Sequence, residues 1–444
     1  VASDPVSDYN RLVADDPGAI EQARWLEAAF GRRGIRFGDL PMRTFLRPHL
    51  VARDDWGRLR DAGRRLLGLA ARVARQAFAG DVGRLCAYLG TPEAEVPWVA
   101  HDPGPPDVLL SRLDAFLTPE GPRFIEINSD APAGFGYGDQ MAEVFRELPA
   151  FQAFARDRPV SYIPSGTALV EAVQRAWQQR GGLGPPVVAI VDFAGVKTRA
   201  DQELLAEAFQ ARGMRCRLAD PREVELRAGR PWLGALPLDV VYRRALLQEL
   251  LERAGEVRPL LEAYRAGAAL FVNSFRCRLS EDKAFFALMT DEAFSSLLSE
   301  EERTFVGRHV PWTRRVEERK TLRSDRTIDL VPWILENRSA LVLKPAHGYG
   351  GQSVFVGDET PPAEWEAALG AALDAPWVVQ ERVAIPEEEF PVVESGRLAF
   401  EPLKVNVNPF WVAGAEVGAV TRASRSSVIN VSAGGGSVPS FVVG

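Results

Sequence analysis

The stretch Ser111-Arg-Leu-Asp-Ala-Phe-Leu-Thr-Pro-Glu-Gly-Pro-Arg-Phe-Ile-Glu-Ile-Asn128 decides how the rest of this chain is read. Pro119-Glu120-Gly121 is turn chemistry between two runs of alternating residues, so an antiparallel hairpin is the natural reading. With the turn centred on Glu120, Asp114 faces Glu126 and Arg112 faces Asn128. All four share one face, because side chains alternate with a period of two along a strand. Two carboxylates directly opposite each other destabilise a bare hairpin. A hard divalent cation reverses that sign, since magnesium takes carboxylate and amide oxygens, usually with phosphate oxygens completing its shell. A solvated polar face in which Arg112 offsets both acids satisfies the same spacing. Spacing alone leaves both readings open.

Further along, Ala340-Leu-Val-Leu-Lys-Pro-Ala-His-Gly-Tyr-Gly-Gly-Gln-Ser-Val-Phe-Val356 reads as a strand, a glycine-rich loop and a second strand. Val342 and Lys344 share one face, Leu341 and Leu343 the other. A lysine inside so apolar a strand needs an anionic partner or an open cleft. Gly348, Gly350 and Gly351, flanking Tyr349, let backbone N–H groups approach phosphate closely. A tight glycine hairpin beside a snorkelling lysine is the plainer alternative. No Gly-Lys-Ser/Thr follows, so the loop is not a Walker A sequence. Trp377-Val-Val-Gln-Glu-Arg-Val383 by itself is a short buried strand with a polar end. In Ser280-Glu-Asp-Lys-Ala-Phe-Phe-Ala-Leu-Met289, Ser280 is a candidate N-cap and Lys283 falls in the first helical turn. A lysine there opposes the helix dipole, so it is either solvated or serves an anion.

The surroundings narrow the class. A chain of 444 residues allows about two to four structural units. Its 46% apolar and 25% charged residues are ordinary for a globular protein, which argues against disorder. The net charge of -7 argues against a general nucleic-acid binder, though not against local basic pockets. Cys86, Cys216 and Cys277 are scattered, which excludes a disulfide framework or a CxxC zinc site. The start carries no signal layout and no run approaches a membrane span, so a cytoplasmic protein that engages neither membrane nor nucleic acid is expected. Residues 1–100 read mostly helical, with Leu59, Leu66, Leu69 and Val73 at helical spacing. From about Pro159 strands and helices alternate: strands at Val187–Val191, Met214–Leu218, Asp239–Tyr242 and Ala269–Asn273, helices at Arg199–Arg212 and Ala245–Ala266. That rhythm is an open α/β sheet.

Taken together, these segments resemble the ATP-grasp superfamily, in particular its circularly permuted branch with the glutathionylspermidine synthase-like proteins. The Arg-x-Asp…Glu-x-Asn hairpin is similar to that superfamily's magnesium site, and Asn128-Ser-Asp-Ala-Pro132 to the Asn-Ala-Asp stretch of glutathionylspermidine synthases. Gly418-Ala-Val-Thr-Arg422…Asn430-Val-Ser-Ala-Gly-Gly-Gly436 resembles the segment that precedes the metal hairpin in unpermuted members. Here the hairpin comes first, so the order is rotated. The resemblance implies a mixed α/β (α+β) fold in four parts: a helical region at 1–100, the permuted metal-binding part at 101–158, an inserted open α/β pre-ATP-grasp domain at 159–275 and the nucleotide-binding region at 276–444.

It also implies roles. Asp114, Glu126 and Asn128 would bind Mg²⁺, and Arg112 and Arg422 would stabilise the anionic oxygens of the reaction. Lys283 and Lys344 would hold ATP phosphates under a lid formed by Gly348, Tyr349, Gly350 and Gly351. Gln380, Glu381, Arg382 and Val383 would form the hinge that reads adenine, and Glu388 or Glu389 would reach the ribose. Ser129 and Asp130 are candidate substrate contacts, although Asp130 could equally cap the following turn. His347 reads as a loop residue without a partner carboxylate, and Cys277, beside Arg276 and Arg278, as a buried thiol or one of lowered pKa. The implied activity is an ATP- and Mg²⁺-dependent ligase joining a small-molecule or peptide carboxylate to an amine through an acyl phosphate. A small-molecule kinase on the same fold and a non-catalytic nucleotide or partner binder are the alternatives.

Overall fold

The computed structural model describes residues 4–348, 353–429, 431 and 434–444. The hairpin forms as strands Leu110–Thr118 and Gly121–Asn128, with Arg112 opposite Asn128 and Asp114 opposite Glu126. Its turn is tighter than a centre on Glu120 requires, because Thr118 pairs with Gly121 and Ala115 with Phe124. A register shift between Asp114 and Ala115 makes up the difference, with Ile125 as the extra residue. Without this bulge Asp114 would face Ile125, and Glu126 would turn to the opposite face.

The hairpin belongs to an eight-stranded sheet built from distant parts of the chain. Leu110–Thr118 pairs with Arg397–Val412, followed in order by Ala415–Ser424, Gly436–Val443 and His49–Ala52. The Asn406 amide donates to the Ala115 carbonyl at 3.1 Å across a separation of 291 residues. Ala413 and Gly414, both at positive φ, make the two-residue turn between two of these strands. Helix Arg53–Gln76 lies on the sheet and buries Trp56, Leu59, Leu66, Leu69 and Val73. Each such side chain contributes roughly 1.5–3 kcal/mol of burial free energy, against its ordering entropy. The helix approaches so closely that a Cβ at Gly63 would stand 2.4 Å from the Trp411 ring. Residues 1–100 are mainly helical as expected, but His49–Ala52 joins the sheet, which their sequence did not announce. Among the described residues no helix is long and apolar enough to cross a membrane.

A second, parallel sheet has the order Leu270–Val272, Val240–Arg243, Val187–Val191, Arg215–Ala219. Its four strands match the expected rhythm. The expected helix Ala245–Ala266 is instead two, Leu247–Glu252 and Arg258–Arg265, broken around Gly255 and restarted with Pro259 in its first turn. A small antiparallel meander, Val224–Arg227, Arg230–Leu233 and Leu236–Pro237, was also unforeseen.

The third unit is a four-stranded antiparallel sheet of Thr313–Arg315, Trp377–Glu381, Leu341–Pro345 and Phe355–Val356. Helices Leu330–Glu336 and Pro362–Leu373 cover one face and share a separate core with Leu341, Leu343 and Val379. Alternation then aims Val342, Lys344 and Gln380 at a cavity on the other face.

Candidate functional site

The cavity has a volume of about 730 Å³ and is walled by the eight-stranded sheet, the parallel sheet with the segments that leave it, and the four-stranded antiparallel sheet. Arg112, Asp114, Glu126 and Asn128 reach it from the hairpin, and Arg422 from the neighbouring carboxy-terminal strands. Lys283, Lys344, Gly348, Gln380, Glu381, Arg382 and Val383 line it from the nucleotide-binding side of the expectation. The lid residues Tyr349, Gly350 and Gly351 lie outside the described residues.

Asp114 is the counter-ion of two arginines. Arg112 Nε donates to Asp114 Oδ1 at 3.1 Å, and Arg422 Nη1 stands 3.4 Å from Oδ2. Burial alone would raise the Asp114 pKa, but the two guanidiniums outweigh it and hold the carboxyl below its usual range. The Asn128 amide donates to the same Oδ1 at 3.0 Å. Glu126 meets Lys283 Nζ at 3.0 Å, and that ammonium also donates to the Gly348 carbonyl at 2.8 Å. Lys283 opens the helix Lys283–Thr290, whose N-cap is Asp282 rather than Ser280; Ser280 sits in the preceding short helix Arg278–Glu281.

Lys344 is different. Its Nζ donates to Gln380 Oε1 at 2.8 Å, yet among the described residues no carboxylate lies within ion-pair distance. Burial pushes its pKa down to about 8. A buried cation in this state is suited to an anion arriving from the cavity. Gln380 is fixed by Thr313 Oγ1, to which its Nε2 donates at 3.0 Å. In the expected hinge, the Glu381 and Arg382 N–H groups donate to the Trp312 and Ala340 carbonyls, both at 2.8 Å. Among the described residues the Val383 N–H meets no backbone carbonyl.

Among the described residues no three His, Cys, Asp or Glu side chains gather around one point. Magnesium needs less, because it binds through one or two carboxylates and takes its remaining ligands from phosphate and water. Asp114, Glu126 and Asn128 supply hard oxygen donors on one face beside two lysines, a set that fits the ion.

Other expectations fare differently. Asp130 is buried behind the cavity wall in an ion pair with Arg243, with Arg278 3.9 Å away. Ser129 is buried too, and its N–H donates to Glu281 Oε2 at 3.2 Å. Neither lines the cavity. The ribose role for Glu388 or Glu389 is corrected. Glu388 is held by Arg47 at 2.7 Å and His49 at 3.0 Å, Glu389 is exposed, and neither reaches the cavity. His347 does have a carboxylate: its Nδ1 lies 2.8 Å from Asp282, while Nε2 contacts the Gly90 carbonyl at 2.7 Å. Cys277 is a buried thiol whose pKa burial pushes up, so the arginines beside it do not activate it. Arg425, three residues beyond Arg422, pairs with Glu394 and Glu401 on the surface.

Sequence reading missed Tyr137, Asp192, Arg244 and Glu281, all on the cavity wall. Asp192 and Arg244 had a usable signal: each is the first residue after a parallel strand. Glu281 had none, since only the fold buries it, which raises its pKa to about 8.

Residues 108–427 match the family described as circularly permuted ATP-grasp type 2. The chain belongs to this family. The joining of residues 110–128 to strands of residues 397–443 is the rotated order seen in three dimensions. This circularly permuted ATP-grasp protein is 28% identical to a Frankia casuarinae protein named "Putative glutamate--cysteine ligase 2-2", over 96% of this chain and 50% of that one. An uncharacterized Mycobacterium bovis protein is 26% identical over 98% of this chain and 80% of its own length. The chain thus spans about half the length of its Frankia relatives. Among solved structures, a glutathione synthetase-like effector of Globodera pallida, GSS30 in its apo form, superposes with a TM-score of 0.65. That likeness covers 97% of this chain and 98% of the effector at 12% identity, and it is one of fold alone.

Proposed function

We propose that this ATP-grasp protein is an ATP-dependent ligase that joins a small-molecule or peptide carboxylate to an amine. The observation that carries the reading is Lys344, a buried cation without a counter-ion among the described residues, on the same cavity as the opposed carboxylates and the Arg112–Arg422 pair. In this reading Lys344 and Lys283 neutralise phosphate oxygens, and the Val383 amide meets the adenine edge. Asp114, Glu126 and Asn128 would hold Mg²⁺, which supplies positive charge to the triphosphate when bound.

Arg112 and Arg422 orient the substrate carboxylate and stabilise charge on the phosphoryl group in flight. A carboxylate oxygen attacks the γ-phosphorus and ADP leaves, giving an acyl phosphate. The amine nitrogen then attacks the acyl carbon, phosphate leaves, and the nitrogen loses a proton. The walls contributed by three sheets favour exclusion of water, which would otherwise hydrolyse the acyl phosphate. The narrower glutathionylspermidine synthase-like reading rests on Asn128-Ser-Asp-Ala-Pro132 alone, so glutathione with spermidine belongs in any substrate panel.

The test is a panel of acids and amines scored for amine-dependent ADP release, with mass spectrometry of the product. An amide supports the ligase. A stable phosphorylated product without amide would assign a kinase instead, and ADP release that never depends on an amine would refute the proposal.

A further inference from the structure

The cavity has a second arm that the phosphate chemistry does not use. Asp192, Lys197 and Thr198 enter it from the loop after strand Val187–Val191, and Arg244 and Glu249 from the segment after Val240–Arg243. These two strands are parallel neighbours, yet their onward connections leave in opposite directions, to Arg215–Ala219 on one side and Leu270–Val272 on the other. Such a switch point opens a crevice at the carboxyl ends of the strands, where open α/β sheets bind ligands.

Two buried charges that face this crevice make no ion pair among the described residues. Arg244 is 7% exposed; its Nη1 donates to the Ala131 carbonyl and its Nη2 to Thr198 Oγ1 at 3.4 Å, but its Nε has no partner among the described residues. Asp192 is 4% exposed and accepts from Gln202 and, at 2.9 Å, from the Phe193 N–H. Among the described residues neither makes an ion pair; burial raises the Asp192 pKa, and Arg244, close by but not in contact, offsets part of that rise. Glu249 lies near Asp192, its Oε2 fixed by the Leu246 N–H at 2.9 Å. Held near each other but out of contact, a buried cation and a buried anion compensate each other only in part, and a ligand that carries both complements would complete them. A simple amine would leave Arg244 unanswered, and a dicarboxylate would meet Asp192 and Glu249 with like charge.

We infer that this crevice is the subsite for an α-amino acid head group, with Arg244 taking its α-carboxylate and Asp192, flanked by Glu249, its α-ammonium. The role of this subsite in the reaction rests on the ligase reading; its existence as a binding site does not. Arg244 also reaches the Ala131 carbonyl, three residues beyond Asn128, so the head group would sit directly beside the end of the metal hairpin.

The test is equilibrium binding of the standard l-amino acids to the full chain with Mg²⁺ and a non-hydrolysable ATP analogue. Each ligand is compared with its carboxamide and its N-acetyl derivative. At least one free amino acid should bind, with both derivatives weaker by about ten- to a hundredfold, the expected cost of leaving a charged buried group unpaired. Arg244→Ala should weaken the free acid by a similar factor and leave the carboxamide unchanged. Asp192→Asn should weaken the free acid and leave the N-acetyl form unchanged, and Arg244→Lys should restore part of the loss. The inference is overturned if no amino acid binds, if acid and carboxamide bind alike, or if Arg244→Lys and Asp192→Asn leave affinity untouched. Since no turnover is measured, amino acid binding without amine-dependent ADP release would sink the ligase reading and keep the subsite. Ligation indifferent to both variants would do the reverse.

Discussion

Replacing Asp114 by Asn removes the counter-charge from two guanidinium groups at once. Its carboxylate lies 3.1 Å from Arg112 Nε and 3.4 Å from Arg422 Nη1, with the Asp114 and Arg112 side chains each only 10% exposed. At an effective dielectric of about 20, each contact is worth ~5 kcal/mol of attraction, most of it offset by desolvation. Stripping one partner from a buried pair costs ~3–5 kcal/mol, and because Asn keeps one acceptor oxygen we expect the lower end, ~3 kcal/mol. The two arginines also repel each other, and Arg112 already helps lower the Arg422 pKa after burial. Arg422→Met in the Asp114→Asn background should therefore recover part of the loss, with a coupling of ~1–3 kcal/mol in the double-mutant cycle. Urea unfolding of the nucleotide-free chain measures this, followed by both far-UV circular dichroism and tryptophan fluorescence so that coincidence of the transitions is checked. A loss below ~1 kcal/mol, or additive single and double variants, would refute the assignment of Asp114 as a shared counter-ion. ATP-dependent turnover should fall at least ~100-fold in the same variant, as loss of a group aligned with developing charge does.

Lys344→Met should leave the nucleotide-free chain within ~1 kcal/mol of the parent, since it removes a cation that has no ionic partner, while nucleotide affinity falls at least ~10-fold. Lost stability with unchanged affinity would contradict the anion-site reading. Glu388 is held down to about 2 because His49 and Arg47 outweigh its burial. Its contribution of ~3 kcal/mol is present above its unfolded value near pH 4.3 and lost as pH falls toward 2, so Glu388→Gln should flatten that acid limb in unfolding titrations. For His347, burial lowers the pKa but Asp282 raises it more, and the net shift is upward. That stabilisation is complete below about pH 6.5 and disappears as pH rises through the elevated value, so His347→Gln should remove this part of the slope of melting temperature against pH. Gly136→Ala would bring a Cβ to 1.9 Å from the Asp201 carbonyl oxygen. We expect a loss of ~3 kcal/mol or more, and wild-type melting would show that this helix start is not tightly packed.

Much of this was legible, for local reasons. Turn chemistry and alternation in residues 111–128 were enough to predict which acids oppose each other, although the turn was misplaced and the bulge at Ile125 silently corrected it. The parallel sheet was visible in its apolar runs. What stayed hidden depends on partners brought from far away. Nothing near Glu388 announces Arg47 and His49, and nothing near Asp130 announces Arg243. His49–Ala52 is too short to show a period, so its place beside Gly436–Val443 could not be read. Asp192 and Arg244 come to one crevice only once the order of the strands is known.

The same sheet sets a clock on biosynthesis. Strand Leu110–Thr118 has a free edge until Arg397–Val412 exists to cover it, and the Ala115–Asn406 bond spans 291 residues. At about 5–20 residues per second, the ribosome leaves that edge unpaired for ~15–60 s. During this interval the parallel sheet, whose strands all fall within residues 187–272, can already assemble. Rotating the motif order thus makes completion of this sheet wait for residues 397–443. A rearranged gene that places residues 397–443 just ahead of 110–128 would turn that long wait into a local meander, with the faster folding that low contact order brings.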